Sequence, residues 1–265
     1  MKLACQEGLA PGAAFADRAA KLESYGFEGV ELNGARLLDP SGLAERRSVL
    51  ADSANRASSI CGGFPCELVH PEPARRRKCV DTVKILLDIA AELGATGPIA
   101  VPIFNSNDRL PDLSPWKSRH ELELQLLITV LTELGAHALS VGARLHLEPL
   151  NRYESNALQN IEEAAWVVRE VGSAGVDVIP DFFHMNIEQE DVPASLRSIA
   201  PQIGHIHVAD NTRKEPGTGS IDFAAGFAAL REVGYDGWLA LECRLSGPAD
   251  EVLPRSVEYL RRCLG

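Results

Sequence analysis

The stretch "LHLEPLNRYE", Leu145 to Glu154, decides the reading of this chain. Leu145 and Leu147 flank His146 as in a short buried strand, where successive side chains point to opposite faces. The run stops on a carboxylate, Glu148. Pro149 follows at once, and its missing N–H ends a ladder of strand hydrogen bonds. A single acid at a strand end is ordinarily a solvated loop residue, so the informative question is whether the arrangement recurs.

It does. The run 176–181, "VDVIPD", ends on Asp181; 203–209, "IGHIHVA", carries His205 and His207; 238–242, "WLALE", ends on Glu242. Four earlier runs, 2–5 "KLAC", 28–33 "EGVELN", 58–61 "SSIC" and 97–103 "GPIAVPI", complete a set of eight. Helical patterns lie between them. Leu124, Leu127, Leu131, Leu134 and Ala138 recur at helical spacing, and a second pattern runs from Pro73 to Leu93 with Gly94 as its stop. Eight strand–helix units averaging about 33 residues predict an α/β fold, a single (β/α)8 TIM barrel occupying residues 1–265 as one domain. A doubly wound open sheet is the alternative, but no GxGxxG follows the first strand. No linker, low-complexity segment or short repeat divides the chain.

In a barrel the strand ends converge on the face that carries active sites. Glu148, Asp181, His207 and Glu242 then stand together, one polar group per strand above apolar layers. His205 points the same way as His207 but one layer deeper, and reads as a packed histidine behind the site rather than a ligand. Three carboxylates and an imidazole cannot crowd together uncompensated, because like charges raise one another's pKa. A divalent cation removes the conflict. Three oxygens and one nitrogen suit Mn²⁺ first, with Mg²⁺ or Co²⁺ as alternatives, and leave two coordination places for substrate oxygens or water. The surroundings exclude a thiolate-rich zinc site.

The segments "EPLNRYE", "DFFHMNIEQED", "GHIHVADNTRKEPGTGSIDF" and "ALEC" resemble the ketose 3-epimerase family of the xylose-isomerase-like barrels, which includes enzymes acting on tagatose, psicose, ribulose and 5-keto-gluconate. The resemblance is strongest over residues 144–243. It implies that Glu148, Asp181, His207 and Glu242 bind the metal and that Glu148 and Glu242 are the proton-transfer pair. It also implies that Glu154, His184 and Arg213 hold substrate oxygens. The sequence departs from the family at Phe182, where relatives often have Thr, and in the first strand, which lacks their aromatic pattern.

The chemistry fits the residue types. C3 epimerisation of a ketose or keto-sugar acid removes a proton beside the C2 carbonyl and returns it from the other face, through a cis-enediolate that a metal stabilises. One carboxylate per face supplies the two proton carriers, each worth roughly 10²–10⁴-fold. His184, three residues past Asp181 on the following loop, reads as a donor to the carbonyl oxygen or as a solvated histidine. Arg213 reads as a donor to hydroxyls or to a substrate carboxylate, or as a surface arginine. Glu154 accepts from a substrate hydroxyl, orients His184, or is a plain loop carboxylate. Phosphate is often bound after the seventh and eighth strands of such barrels, but "EPGTGSIDF" lacks GK[ST] and more simply shapes a loop ahead of a helix begun near Asp222.

Rival readings share the barrel. An aldose–ketose isomerase of the hydroxypyruvate or inositol-pathway type uses the same groups at a different carbon. A C-glycoside-cleaving lyase subunit, a repair endonuclease and a non-catalytic barrel are further alternatives. The net charge of −11 argues against nucleic acid. No apolar run approaches the ~18 residues of a membrane span, and "MKLACQEG" has no signal-peptide core, so the expected setting is cytoplasmic, with no membrane partner. The six cysteines form no CxxC pair and read as reduced thiols. "RRRK" at 75–78 reads as a solvated helix face. The expected partner is a sugar or keto-sugar acid, and the resemblance implies a homo-oligomer, a dimer or tetramer.

Overall fold

The computed structural model describes residues 1–104 and 107–265. Its described residues contain eight strands, all at the expected places: β1 (Lys2–Gln6), β2 (Gly29–Asn33), β3 (Arg56–Cys61), β4 (Ile99–Ala100), β5 (Leu145–Leu147), β6 (Val176–Val178), β7 (Ile206–Val208) and β8 (Trp238–Leu241). All pair in parallel, in the orders β3-β2-β1-β8-β7 and β4-β5-β6. Single bridges join the two groups into a ring. Ile60 pairs with Pro98 between β3 and β4, while Val178 with Ile203 and Asp181 with His207 connect β6 to β7.

Strands β4 to β7 are shorter than the sequence suggests. Pro98, Pro102, Pro149 and Pro180 interrupt their edges, and a proline cannot donate to a ladder. Glu148 still donates its N–H to Ala100 at 3.0 Å, which holds the C-terminal end of β5 to the sheet just before the chain leaves it.

Helices α1 (Phe15–Tyr25), α2 (Gly34–Leu37), α3 (Pro40–Asp52), α4 (Pro73–Leu93), α5 (Arg119–Val141), α6 (Ile161–Val171), α7 (Phe182–Glu188), α8 (Val192–Ser198), α9 (Phe223–Glu232) and α10 (Ala249–Leu264) surround the ring. Each of the two long helices has a clear start and stop. Pro73 occupies the first turn of α4, and Ser118 with Glu121 forms a reciprocal cap at α5. Gly94 and Gly142 then end them in the left-handed region, at φ of 70° and 79°. The leucine stripe of α5 is buried throughout. That helix is long and apolar enough by length and composition to cross a membrane, a property the sequence reading passed over. Here it packs between α4 and α6, and its Glu133 is paired with Arg77 and Lys84. The "RRRK" run lies on α4 as a paired surface, with Arg75 on Glu67 and Arg77 on Asp81 and Glu133.

The two faces of the ring differ in kind. Leu3, Cys5, Val30, Leu32, Leu239 and Leu241 face outward into one continuous apolar core under the helices. The inward face is small or polar, which corrects the expectation of apolar layers beneath the site. His146 pairs with Asp177 and meets Thr96 Oγ1 at 2.9 Å, and its ring stacks on that of His205 at 5.5 Å. His146 tolerates burial because both of its ring nitrogens find a partner.

Candidate active site

Four elements deliver the expected cluster. Glu148 follows β5, Asp181 caps α7, His207 lies within β7 and Glu242 follows β8. Each offers one ligand atom, and these four atoms lie within 4.8 Å of one another. His207 Nδ1 is 3.5 Å from Glu148 Oε1 and 3.0 Å from Glu242 Oε2. The residues fit a divalent cation on an observation of this structure: His207 Nδ1 and Glu148 Oε1 are buried and have no hydrogen-bond partner among the described residues. Orphaned donor atoms of this kind are costly unless something is bound to them.

The tautomer of His207 follows from its other side. Nε2 stands 3.0 and 3.1 Å from the two oxygens of Glu31, so Nε2–H donates there, and Nδ1, once it gives up its proton, turns a lone pair to the cluster. Glu31 also touches Ser59, His205 and Gln6, and Gln6 donates a second bond, 3.0 Å, to Glu242 Oε1. The first strand therefore supplies an amide tie between Glu31 and Glu242. His205 is buried behind the cluster against Glu31 and Ser59, as expected.

Burial, the largest influence, would raise Glu31, but His207 and His205 outweigh it and hold the carboxyl well below its usual range. Burial pushes Glu148 up and leaves it raised. Glu242 feels the same burial, but His207 and Arg213 overcome it and hold it well down. In Asp181 burial is likewise overcome, mainly by Arg213. His207 is raised well above its ordinary value because Glu31 and Glu242 outweigh desolvation. Burial takes His205 down to about 4, so it is neutral at pH 7.

The three residues expected to hold substrate oxygens surround the cluster. Arg213 contacts Asp181 and Glu242 at once and lies 4.7 Å over the Phe183 ring. Its backbone adopts φ of 56°, which is uncommon for a side-chain-bearing residue and is held by a tight loop. Asp210 organises that loop by accepting N–H bonds from Gly217, Gly219 and Ile221. Asp222 caps α9 as the spacing suggested.

His184 lies on α7 rather than on a loop, a correction to the sequence reading. The Asp181 carboxylate accepts from the N–H of Phe183 and begins a helix there, which brings His184 back beside Asp181 at 3.6 Å. Asn151 donates its backbone N–H to His184 Nδ1 at 3.2 Å. Nδ1 is thus an acceptor, and Nε2 carries the proton toward Asp181 and Glu148. Glu154 accepts from Asn151 Nδ2 at 3.1 Å, so it fixes the amide that orients His184.

A cavity of about 320 Å³ brings Glu148, Glu154, His184, Arg213 and Glu242 together, while Asp181 and His207 lie behind it. Phe64, Val101, Phe104 and Leu150 form its apolar wall. Phe182 is not part of that wall: it is fully buried against Phe223 and Phe227. Phe182 therefore belongs to the packing under α9 rather than to the pocket.

Sequence reading missed Glu31, Gln6, Asn151, Asp210 and Cys61. A charged residue inside the apolar run 28–33 was the available signal for Glu31. Cys61 Sγ lies 3.4 Å from Glu242 Oε1; burial and the nearby carboxylates hold its thiol well above the usual range, so it stays a donor.

The family model for xylose isomerase-like TIM barrels matches residues 19–263. The 3-dehydro-D-guloside 4-epimerase of Escherichia coli strain K12 is 30% identical, over 91% of this chain and 92% of that protein. The ketose 3-epimerase of Arthrobacter globiformis is 28% identical over 84% of this chain and 75% of its own. The crystal structure of an E. coli 3-keto-D-glucoside 4-epimerase in its apo form superposes with a TM-score of 0.89 at 28% identity, covering 99% of this chain and 100% of that one. With the closed parallel ring and the residues gathered at its strand ends, these matches establish that the chain belongs to the xylose isomerase-like TIM barrel family.

Proposed function

We propose that this chain is a divalent-metal-dependent sugar epimerase that inverts the carbon beside a ketone, C3 of a ketose or keto-sugar acid. The carrying observation is a pair of carboxylates, buried Glu148 and partly buried Glu242, that reach one cavity from the ends of β5 and β8, each within 3.5 Å of His207 Nδ1. Glu148, Asp181, His207 and Glu242 would hold the metal, Mn²⁺ before Mg²⁺ or Co²⁺. When bound, it supplies Lewis-acid stabilisation of negative charge on the substrate oxygens.

The chain's own groups do the rest. One glutamate takes the proton from the carbon next to the carbonyl, and the other returns a proton to the opposite face of the enediolate. The roles exchange with direction. Nε2–H of His184 donates to the oxygen on which charge develops, and the Glu154–Asn151 pair keeps that proton on Nε2. Arg213 donates to substrate hydroxyls. The apolar wall excludes water, which strengthens these interactions.

A second assignment of the inverted carbon has specific support. The E. coli relative matched along nearly the whole chain is named a 4-epimerase of a 3-dehydro-glycoside, which favours C4 of a 3-keto-glycoside by the same two-glutamate chemistry. NMR of ketoses, keto-sugar acids and 3-keto-glycosides with Mn²⁺-loaded protein in D₂O separates the two. Deuterium should enter at C3 of a ketose or C4 of a 3-keto-glycoside. Label confined to C1 or C2 would instead indicate an aldose–ketose isomerase.

A further inference from the structure

A second chamber of about 370 Å³ opens beside the reacting cavity and shares Cys61, Gly62 and Glu242 with it. The first three strands and the segments after them build it, through Gln6, Glu7, Arg18, Glu31, Asn33 and Arg36. Its carboxylates are all engaged. Glu7 is paired with buried Arg46 at 2.7 Å and accepts the N–H of Asn33; Glu31 faces His205 and His207; Glu242 is against Arg213. The cations are not. Arg18 spends only its Nε, on the carbonyl of Gly12 at 3.1 Å, and neither it nor Arg36 has a carboxylate at ion-pair distance among the described residues. The nearby Asp39 is occupied in capping α3 through Gly42 N and Ser41 Oγ.

Two guanidinium groups with no carboxylate at ion-pair distance among the described residues therefore border a cavity whose own carboxylates already have partners, one wall away from the proton carriers. Guanidinium forks match the planar geometry of oxyanions. We propose that this chamber is a subsite for an oxyanion, carboxylate or phosphate, on the substrate end remote from the reacting carbon, read by Arg18 and Arg36. This rests on the reading that Glu148 and Glu242 mark the reacting centre, and it places acid recognition on the N-terminal strands rather than on Arg213.

D-fructose, D-fructuronate and D-fructose 6-phosphate differ only at C6, so they isolate the effect. Isothermal titration into the Mn²⁺-loaded protein should show one of the two acids binding at least about tenfold tighter than D-fructose, with the preference shrinking as NaCl is raised. Arg18→Gln with Arg36→Gln should bring the ratio to within about twofold, and Arg36→Glu should reverse it. The affinity ratio, unlike absolute affinity, is insensitive to partial unfolding. A preference for the carboxylate or for the phosphate identifies the anion. No measurable preference in the wild type, or one that survives the double variant, overturns the proposal. Solvent deuterium reports the reaction separately: acid preference in binding without label entering any sugar supports the subsite and removes the epimerase reading.

Discussion

Glu31 makes the sharpest test of how the cluster is held. Its two oxygens are fully buried and contact His207 Nε2 at 3.0 and 3.1 Å, His205 Nε2 at 3.1 Å, Gln6 Nε2 at 3.0 Å and Ser59 Oγ. In Glu31→Gln one acceptor oxygen becomes an N–H₂ donor facing other donors. Nε2–H of His207 then loses a charge-assisted bond, and the ring is free to rotate or change tautomer, which withdraws the Nδ1 lone pair from Glu148 and Glu242. A buried donor left unsatisfied costs about 1–3 kcal/mol. Losing the group that orients a metal-bound histidine costs about 10–100-fold in metal affinity, and at about 1.36 kcal/mol per tenfold the two figures agree. Competition of a fluorescent chelator for Mn²⁺ measures the affinity. The thermal melt of the metal-free variant checks the fold, which should hold because the substitution also removes a buried charge. Mn²⁺ affinity within twofold of wild type, with the fold intact, would show that Glu31 does not position His207.

Three further outcomes are expected. Glu148→Gln and Glu242→Gln should each lower turnover by roughly 10²–10⁴-fold with unchanged far-UV circular dichroism; an active Glu242→Gln protein would end the two-carboxylate mechanism. Because Glu31 and Glu242 raise His207 well above its ordinary value, the metal-free form holds a proton that Nδ1 must give up on metal binding. Affinity for Mn²⁺ should therefore fall by about tenfold or more per unit as pH drops below the His207 ionisation, with proton release visible in buffers of different ionisation enthalpy; a flat profile from pH 6 to 8 contradicts this. Leu134→Ala, at a fully buried position of α5, should cost about 2–5 kcal/mol in denaturant unfolding, and a loss below 1 kcal/mol would mean that α5 is not packed as described.

The fold was legible because barrel strands that are covered by helices must be short and apolar, and because helix starts and stops are local chemistry. Pro73, Ser118, Gly94 and Gly142 mark α4 and α5 without reference to anything distant. Strand ends were less legible, since prolines at 98, 102, 149 and 180 shorten the ladders in a way that depends on which neighbour each residue faces. The candidate metal ligands were legible for a different reason: polar residues at or near the ends of four successive apolar runs are conspicuous. The resemblance then supplied Glu154, His184 and Arg213, and the cavity brings all three together.

By itself, then, the sequence determined the alternation that makes a (β/α)8 barrel, the start and stop of α4 and the four residues that the strand ends would bring together. These follow from periodicity and from where each apolar run stops. Tertiary structure alone decided that Glu31, 176 residues before His207, sets the tautomer of that histidine. It decided too that Asp181 starts a helix that returns His184 to the site, that Phe182 packs away from the pocket, and that Arg18 and Arg36 stand beside a second chamber with no carboxylate at ion-pair distance among the described residues. Each of these depends on which atoms meet across the closed ring. No local pattern carries that information, because a hydrogen bond or an ion pair is a property of distance in space rather than separation along the chain.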